Sequence, residues 1–203
     1  MRRYISTLAL LLLSISFGCA PHPVQLFNAE SYVRPYQTDL GDTLTIVLGK
    51  EISDQFFMQD IGLRKMQVNS FRKSLSLSLY YTFEHSFAHV NVVSEAGSGL
   101  KGTVLELYRV RPFWKLQSIA SDSYSIEGGV YTSTTFYLSS LFRYDGIVLR
   151  HGEKWLTLDA EVLGEKVVSD KDEWHLAFED GIREMCEHLY KTLAEGQRAL
   201  SQK

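Results

Sequence analysis

Hydrophobic and polar positions change period several times along this chain, and each change marks an element. Residues 43–48 (TLTIVL) are β-branched and apolar, bounded by a turn signal at 39–42 and by Gly49, and predict a strand. Between Gln67 and Val90 two patterns compete. Leu75, Leu77 and Leu79 alternate with Ser74, Ser76 and Ser78 as in a strand. Phe71, Leu75, Leu79, Phe83 and Phe87 recur at every fourth residue, with Val68, Tyr80 and Val90 near the same face. The segment is longer than an ordinary strand, so the reading is a helix over 68–90, capped by Asn69 or Ser70.

Further strands are expected at 90–93, 100–110 and 130–144, followed by a hairpin over 146–164 with its tip at 151–154. Pro112 is expected to stop the strand before it and leave Phe113 and Trp114 on a loop. A second helix is expected over 172–195, started by Asp170 or Asp172 and ended by Gly196. Its buried stripe reads Trp174, Phe178, Ile182, Met185, Leu189 and Leu193, with Ala177 and Cys186 alongside. These elements imply an α+β, two-layer sandwich: a mainly antiparallel sheet with two helices on one face.

The N-terminus follows a different logic. Arg2 and Arg3 precede an almost wholly apolar run from Leu8 to Phe17, and Gly18 leads into Cys19. This is the layout of a secretory signal, and the run is short of the roughly 20 residues of a membrane span. The organisation is therefore read as a signal peptide over 1–18 and a tether over 19–40. A single domain over 41–195 and a flexible tail over 196–203 follow. Pro21, Pro23 and Pro35 lie in the tether.

Composition narrows the function classes. Hydrophobic residues are 45% of the chain and charged residues 22%, which suits one globular domain with a core of its own. Taking Arg2 and Arg3 from 21 basic residues leaves 19 against 24 acidic ones, a net charge of −5 that speaks against nucleic-acid binding. Cys19 and Cys186 are the two cysteines, so an intramolecular disulfide requires that both thiols be free.

Candidate chemistry is sparse. His85 and His89 share a helical face, but Ser86 stands where a zinc-protease helix needs glutamate, so no metal is expected. Cys186 and His188 are two apart and do not face each other on a helix. Asp159 and Glu161 share a strand face, an arrangement common on solvated strands. Gly97-Ser98-Gly99 lacks the lysine and helix of a phosphate loop and reads as a turn. No catalytic residue and no cofactor is expected. The aromatic-rich middle (Phe113, Trp114, Tyr124, Tyr131, Phe136, Tyr137) is the candidate binding region, with Phe113 and Trp114 as its anchors.

Gly18-Cys19 resembles the lipobox of bacterial lipoproteins, although Ser16 and Phe17 depart from that family's usual residues. The resemblance implies lipid on Cys19 and, with Ala20 next to it, an outer-membrane address facing the periplasm. The progression from Val68 to Val110 is similar to small envelope lipoproteins of the ABC-type transport auxiliary and lipopolysaccharide-assembly kinds. It runs from a helix ending in Phe83 and Phe87 through Val90-Asn91-Val92-Val93 to Leu100-Lys101-Gly102-Thr103-Val104-Leu105-Glu106-Leu107. That similarity implies a non-catalytic accessory or assembly role and a protein or lipid partner in the envelope. The competing readings are a membrane-tethered hydrolase and a structural surface lipoprotein.

Overall fold

The computed structural model describes residues 22–25, 36, 38–59, 65–95, 97, 101–124 and 130–202. The segment expected as a signal peptide and Cys19 lie outside the described residues. Within the stretch expected as a tether, His22–Gln25 forms strand β1, and the Tyr36 ring stacks on Tyr190 with centroids 3.9 Å apart. The folded unit therefore reaches back into that stretch.

Strand β2 (Gly41–Leu48) buries five residues in succession, Leu44 to Leu48. A strand covered on both faces reads as a continuous apolar run, and such strands sit in parallel surroundings. β2 indeed lies between β5 (Phe87–Val93) and β6 (Thr103–Tyr124), parallel to both. The larger sheet continues with β7 (Val130–Arg150) and β8 (Glu153–Leu163), each antiparallel to its predecessor, in the order β5-β2-β6-β7-β8. It is therefore mixed, which corrects the mainly antiparallel expectation. The reason is the connection from β2 to β5, which carries a helix and crosses over, as a parallel neighbour requires. A small sheet made of β1, β3 (Phe56–Gln59) and β4 (Lys65–Asn69) has the order β1-β4-β3.

Helix α1 spans Phe71–Phe83, so the fourth-residue pattern prevails over the Leu-Ser alternation within it. The helix is shorter than the expected 68–90, because Val68 belongs to β4 and Phe87 opens β5. Its start is held from outside. Ser70 is the cap residue, at φ 58°, but its side chain makes no capping bond. Asp54 serves instead: its carbonyl accepts the Phe71 N–H at 3.0 Å and its Oδ1 accepts the Lys73 N–H at 3.2 Å. Arg72 then donates to the carbonyls of Leu48, Gly49 and Ile52, tying the end of β2 to the first turn.

Two stripes of α1 are buried. One is Phe71, Leu75, Leu79 and Phe83; the other is Ser74, Ser78 and Thr82. The small second stripe lets α1 approach α2 (Trp174–Ser201), whose whole expected apolar stripe is buried. Helix α2 also packs on β7 and β8. At its closest point, a Cβ on Gly181 would lie 2.0 Å from Ser140 Oγ and 2.5 Å from the Phe142 ring. Gly196 does not end the helix, which runs on through Ser201; a Cβ there would meet the Trp155 indole at 2.8 Å, so this glycine admits a side chain of β8. The β7–β8 turn is His151-Gly152, both at positive φ (52° and 83°), the two-residue form that suits strand twist.

Candidate interaction surface around Phe113

Strand β6 does not stop at Pro112. It runs to Tyr124, with Pro112 opposite Phe142. The β2 ladder ends at Leu107, so the far edge of β6 has no strand partner at position 112 among the described residues. A free edge is where a missing N–H is tolerated. The loop expected for Phe113 and Trp114 is thus an extended strand, and neighbours on a strand point to opposite faces. Phe113 faces outward and is 42% exposed. Trp114 is half-buried and packs on the helix side against Trp174 and Phe178, at centroid distances of 6.3 and 5.8 Å. Its indole Nε1 is buried without an acceptor among the described residues. The two expected anchors are therefore separated: Trp114 closes the core and Phe113 remains available.

Phe113 sits in a charged setting. The Arg143 guanidinium lies 5.8 Å from its ring centroid, within cation–π range. Arg143 also pairs with Glu161, which stands opposite it on β8. The hydrogen bond and charge of Glu161 push the Arg143 pKa up, and Asp145 does the same for Arg109 at 2.7 Å. Arg111 stands directly opposite Arg143 across β6 and β7, and has no ion pair among the described residues. Like charges opposed across two strands repel, so this pair favours an added negative charge.

Two open hollows meet at Arg111, and the Phe113 ring lines the second of them. One, of about 470 Å³, is floored by Arg109, Arg111, Arg143, Asp145 and Asp159. The other, of about 270 Å³, lies between Phe113, Val110, Phe56 and Phe71 at the open edge of β6. The period-2 order Arg109, Arg111, Phe113 was available in the sequence as a signal for this face. The register that adds Arg143 and Glu161 from β7 and β8 was not.

The remaining candidates are dispersed. His85 is exposed in the turn after α1 and His89 is exposed on β5, so they no longer share a helical face. Among the described residues no three His, Cys, Asp or Glu side chains gather as a metal site. Cys186 is free and buried beside Thr82, and burial pushes its thiol up to about 12. His188 turns to the Tyr144 hydroxyl, 2.6 Å from Nδ1. Glu161 is engaged by Arg143, and Asp159 lies opposite Asp145. Of the Gly97-Ser98-Gly99 turn only Gly97, which is exposed, is described.

No family model matches this chain, and no curated protein matches its sequence. Solved structures do resemble it. A protein of family DUF330 from Xanthomonas campestris superposes over 91% of this chain and 100% of its own, with TM-score 0.53 and 14% identity. An uncharacterized lipoprotein B from Nitrosomonas europaea matches over 83% of this chain and 85% of its own (TM-score 0.36, 12% identity). A homolog of a neuraminyllactose-binding hemagglutinin from Helicobacter pylori matches over 88% and 97% (TM-score 0.40, 13% identity). The α+β chain described above shares its fold with the Xanthomonas protein.

Proposed function

We propose that this chain is a lipoprotein of the bacterial cell envelope, anchored through Cys19 in the outer membrane and facing the periplasm. On this reading it works by binding a protein complex of the envelope, without catalysing a reaction. The observation that carries the binding role is Phe113: a large exposed ring held under Arg143, lining an open hollow beside Arg111, which has no ion pair among the described residues. Aromatic and arginine side chains are enriched at the centres of protein interfaces, the rings because they bury much area with little entropy loss. Anchoring rests on the charged, apolar and Gly18-Cys19 zones of the N-terminus.

Co-purification from detergent-solubilised envelopes tests the binding role. Phe113→Ala is expected to weaken partner capture by about 2 kcal/mol, roughly thirtyfold, with the melting temperature kept. Trp114→Ala is expected to lower the melting temperature, since its ring is core. Loss of capture only in the unstable Trp114→Ala variant would overturn the assignment to Phe113. Mass spectrometry of the membrane form tests the anchor: an unmodified Cys19 thiol rejects it.

A further inference from the structure

Strand β1 begins three residues after Cys19. A fully extended chain of that length reaches about 11 Å at most. Acyl chains on Cys19 hold that residue where the hydrocarbon meets the headgroups, beneath a headgroup layer roughly 5–7 Å deep. The start of β1 is then tied to within about 6 Å of the outer surface of that layer.

Strand β1 is part of the small sheet, so the whole sheet shares this constraint. His22 stands beside Met66 of β4, and Met66 beside Met58 of β3. The next row is Pro23, Gln67 and Phe57. Neighbouring strands lie about 4.8 Å apart, which puts the Phe57 backbone only about 10 Å across the sheet from Pro23.

One face of the sheet is core. Met58, Met66 and Val68 are buried, and the Phe56 ring meets Phe71 edge-on with centroids 5.1 Å apart. Alternate residues point the other way. On that outer face the Gln67 side chain donates to Asn69 Oδ1 at 3.0 Å. Phe57 beside it is 62% exposed, more than any other large hydrophobic residue among those described.

We propose that the outer face of the small sheet is the membrane-contacting surface of this protein, with the Phe57 ring set among the lipid headgroups. The proposal rests on acylation of Cys19 and is independent of the surface around Phe113. The length of chain between Cys19 and β1 selects the occupant. The gap left at β1 is thinner than the roughly 10 Å that one packed layer of protein takes up, so the sheet meets lipid there. Phe57 selects the face. Contact through the end of the sheet would leave its ring in water, whereas contact through the outer face removes it from water. Phenylalanine on the lipid side is also what holds surface-lying segments at the boundary of headgroups and acyl chains.

Spin labelling of the mature, acylated chain tests the proposal, in vesicles of phosphatidylethanolamine and phosphatidylglycerol with no other protein. The nitroxide is carried by Phe57→Cys, because Cys19 is occupied by lipid and Cys186 is buried. Collisions with oxygen, which concentrates in lipid, are compared with collisions with a water-soluble nickel chelate. Their ratio is expected to exceed that of free label in buffer by roughly threefold or more. Phe57→Trp gives a second reading without a label: brominated lipids should quench it beyond the level of the parent chain's three tryptophans. A buffer-like ratio on acylated protein, with no added quenching, overturns the proposal and leaves the anchor standing. An unmodified Cys19 in the mass spectrum removes the anchor, and this contact with it.

Discussion

Phe142 and Phe136 lie six positions apart on the same face of the same strand, yet the first is fully buried and the second is 54% exposed. Around Phe142, β7 has β6 and β8 on its edges and the Phe71 and Phe178 rings nearby, at centroid distances of 6.2 and 5.2 Å. Around Phe136 the same strand has only β6 beside it among the described residues. One half of the β6–β7 hairpin is core and the other is surface, although both halves alternate and both carry aromatics. A strand pattern therefore reports a pleat; only the layer placed over it makes a face hydrophobic core.

The largest expected effect tests that contrast directly. Phe142→Ala should cost about 4 kcal/mol, the range for a fully buried aromatic that leaves a cavity. A loss below about 1 kcal/mol by denaturant titration would mean the inner half is as loosely covered as the outer.

Next in size is Gly181→Ala, which should cost about 2 kcal/mol. The new methyl group must displace Ser140 or Phe142, and overpacking outweighs the gain in helix propensity. Unchanged stability would show that α2 has room to back away from β7.

Cys186→Ala should cost about 1 kcal/mol as a small core trim. It also carries a pH signature. The folded thiol is pushed up to about 12 by burial, above its ordinary value of 9.0, so the folded state holds the proton more tightly. That contribution is fully present below pH 9 and is lost as pH rises from 9 towards 12. Burial pushes the Tyr144 hydroxyl up as well, adding a similar loss that begins near pH 10. Alkaline unfolding of Cys186→Ala should therefore begin at higher pH than that of the parent chain. Coincident curves would mean that water reaches this part of the core.

The smallest expected effect is the mirror of the first. Phe136→Ala should change the stability of the domain by no more than about 0.5 kcal/mol, as for an exposed position. Thermal melts of the variant and the parent chain measure it. A loss above 2 kcal/mol would show the outer half of the hairpin to be integral to the core and erase the contrast.

The period of a segment is a local property, and it located α2 with its complete buried stripe. It also located α1 against the competing Leu-Ser alternation, and the turn at His151-Gly152. Side chains three or four residues apart on a helix share one environment wherever the helix lies, so their spacing alone identifies the buried face. Strand neighbours carry no such mark. The parallel seating of β2 between β5 and β6 joins segments far apart in the chain. The β-branched, apolar letters of 43–48 marked a strand and left its placement open, since the same letters also suit an antiparallel centre.

The same limit governs the interaction surface. Phe113 and Trp114 were identifiable as a conspicuous aromatic pair, but Pro112 suggested a loop. An open edge, visible only once β2 is seen to stop at Leu107, is what lets the strand continue and sends the two rings to opposite faces. Arg143 and Glu161 reach Phe113 through cross-strand register, and Asp54 reaches the start of α1 from a loop seventeen residues away. Gly196 looked like a helix terminator, and tertiary packing made it the gap that Trp155 fills. In each case the residue type was plain in the sequence. Its role was set by a group distant in the chain, because pairing and close approach depend on which surfaces the folded layers bring together.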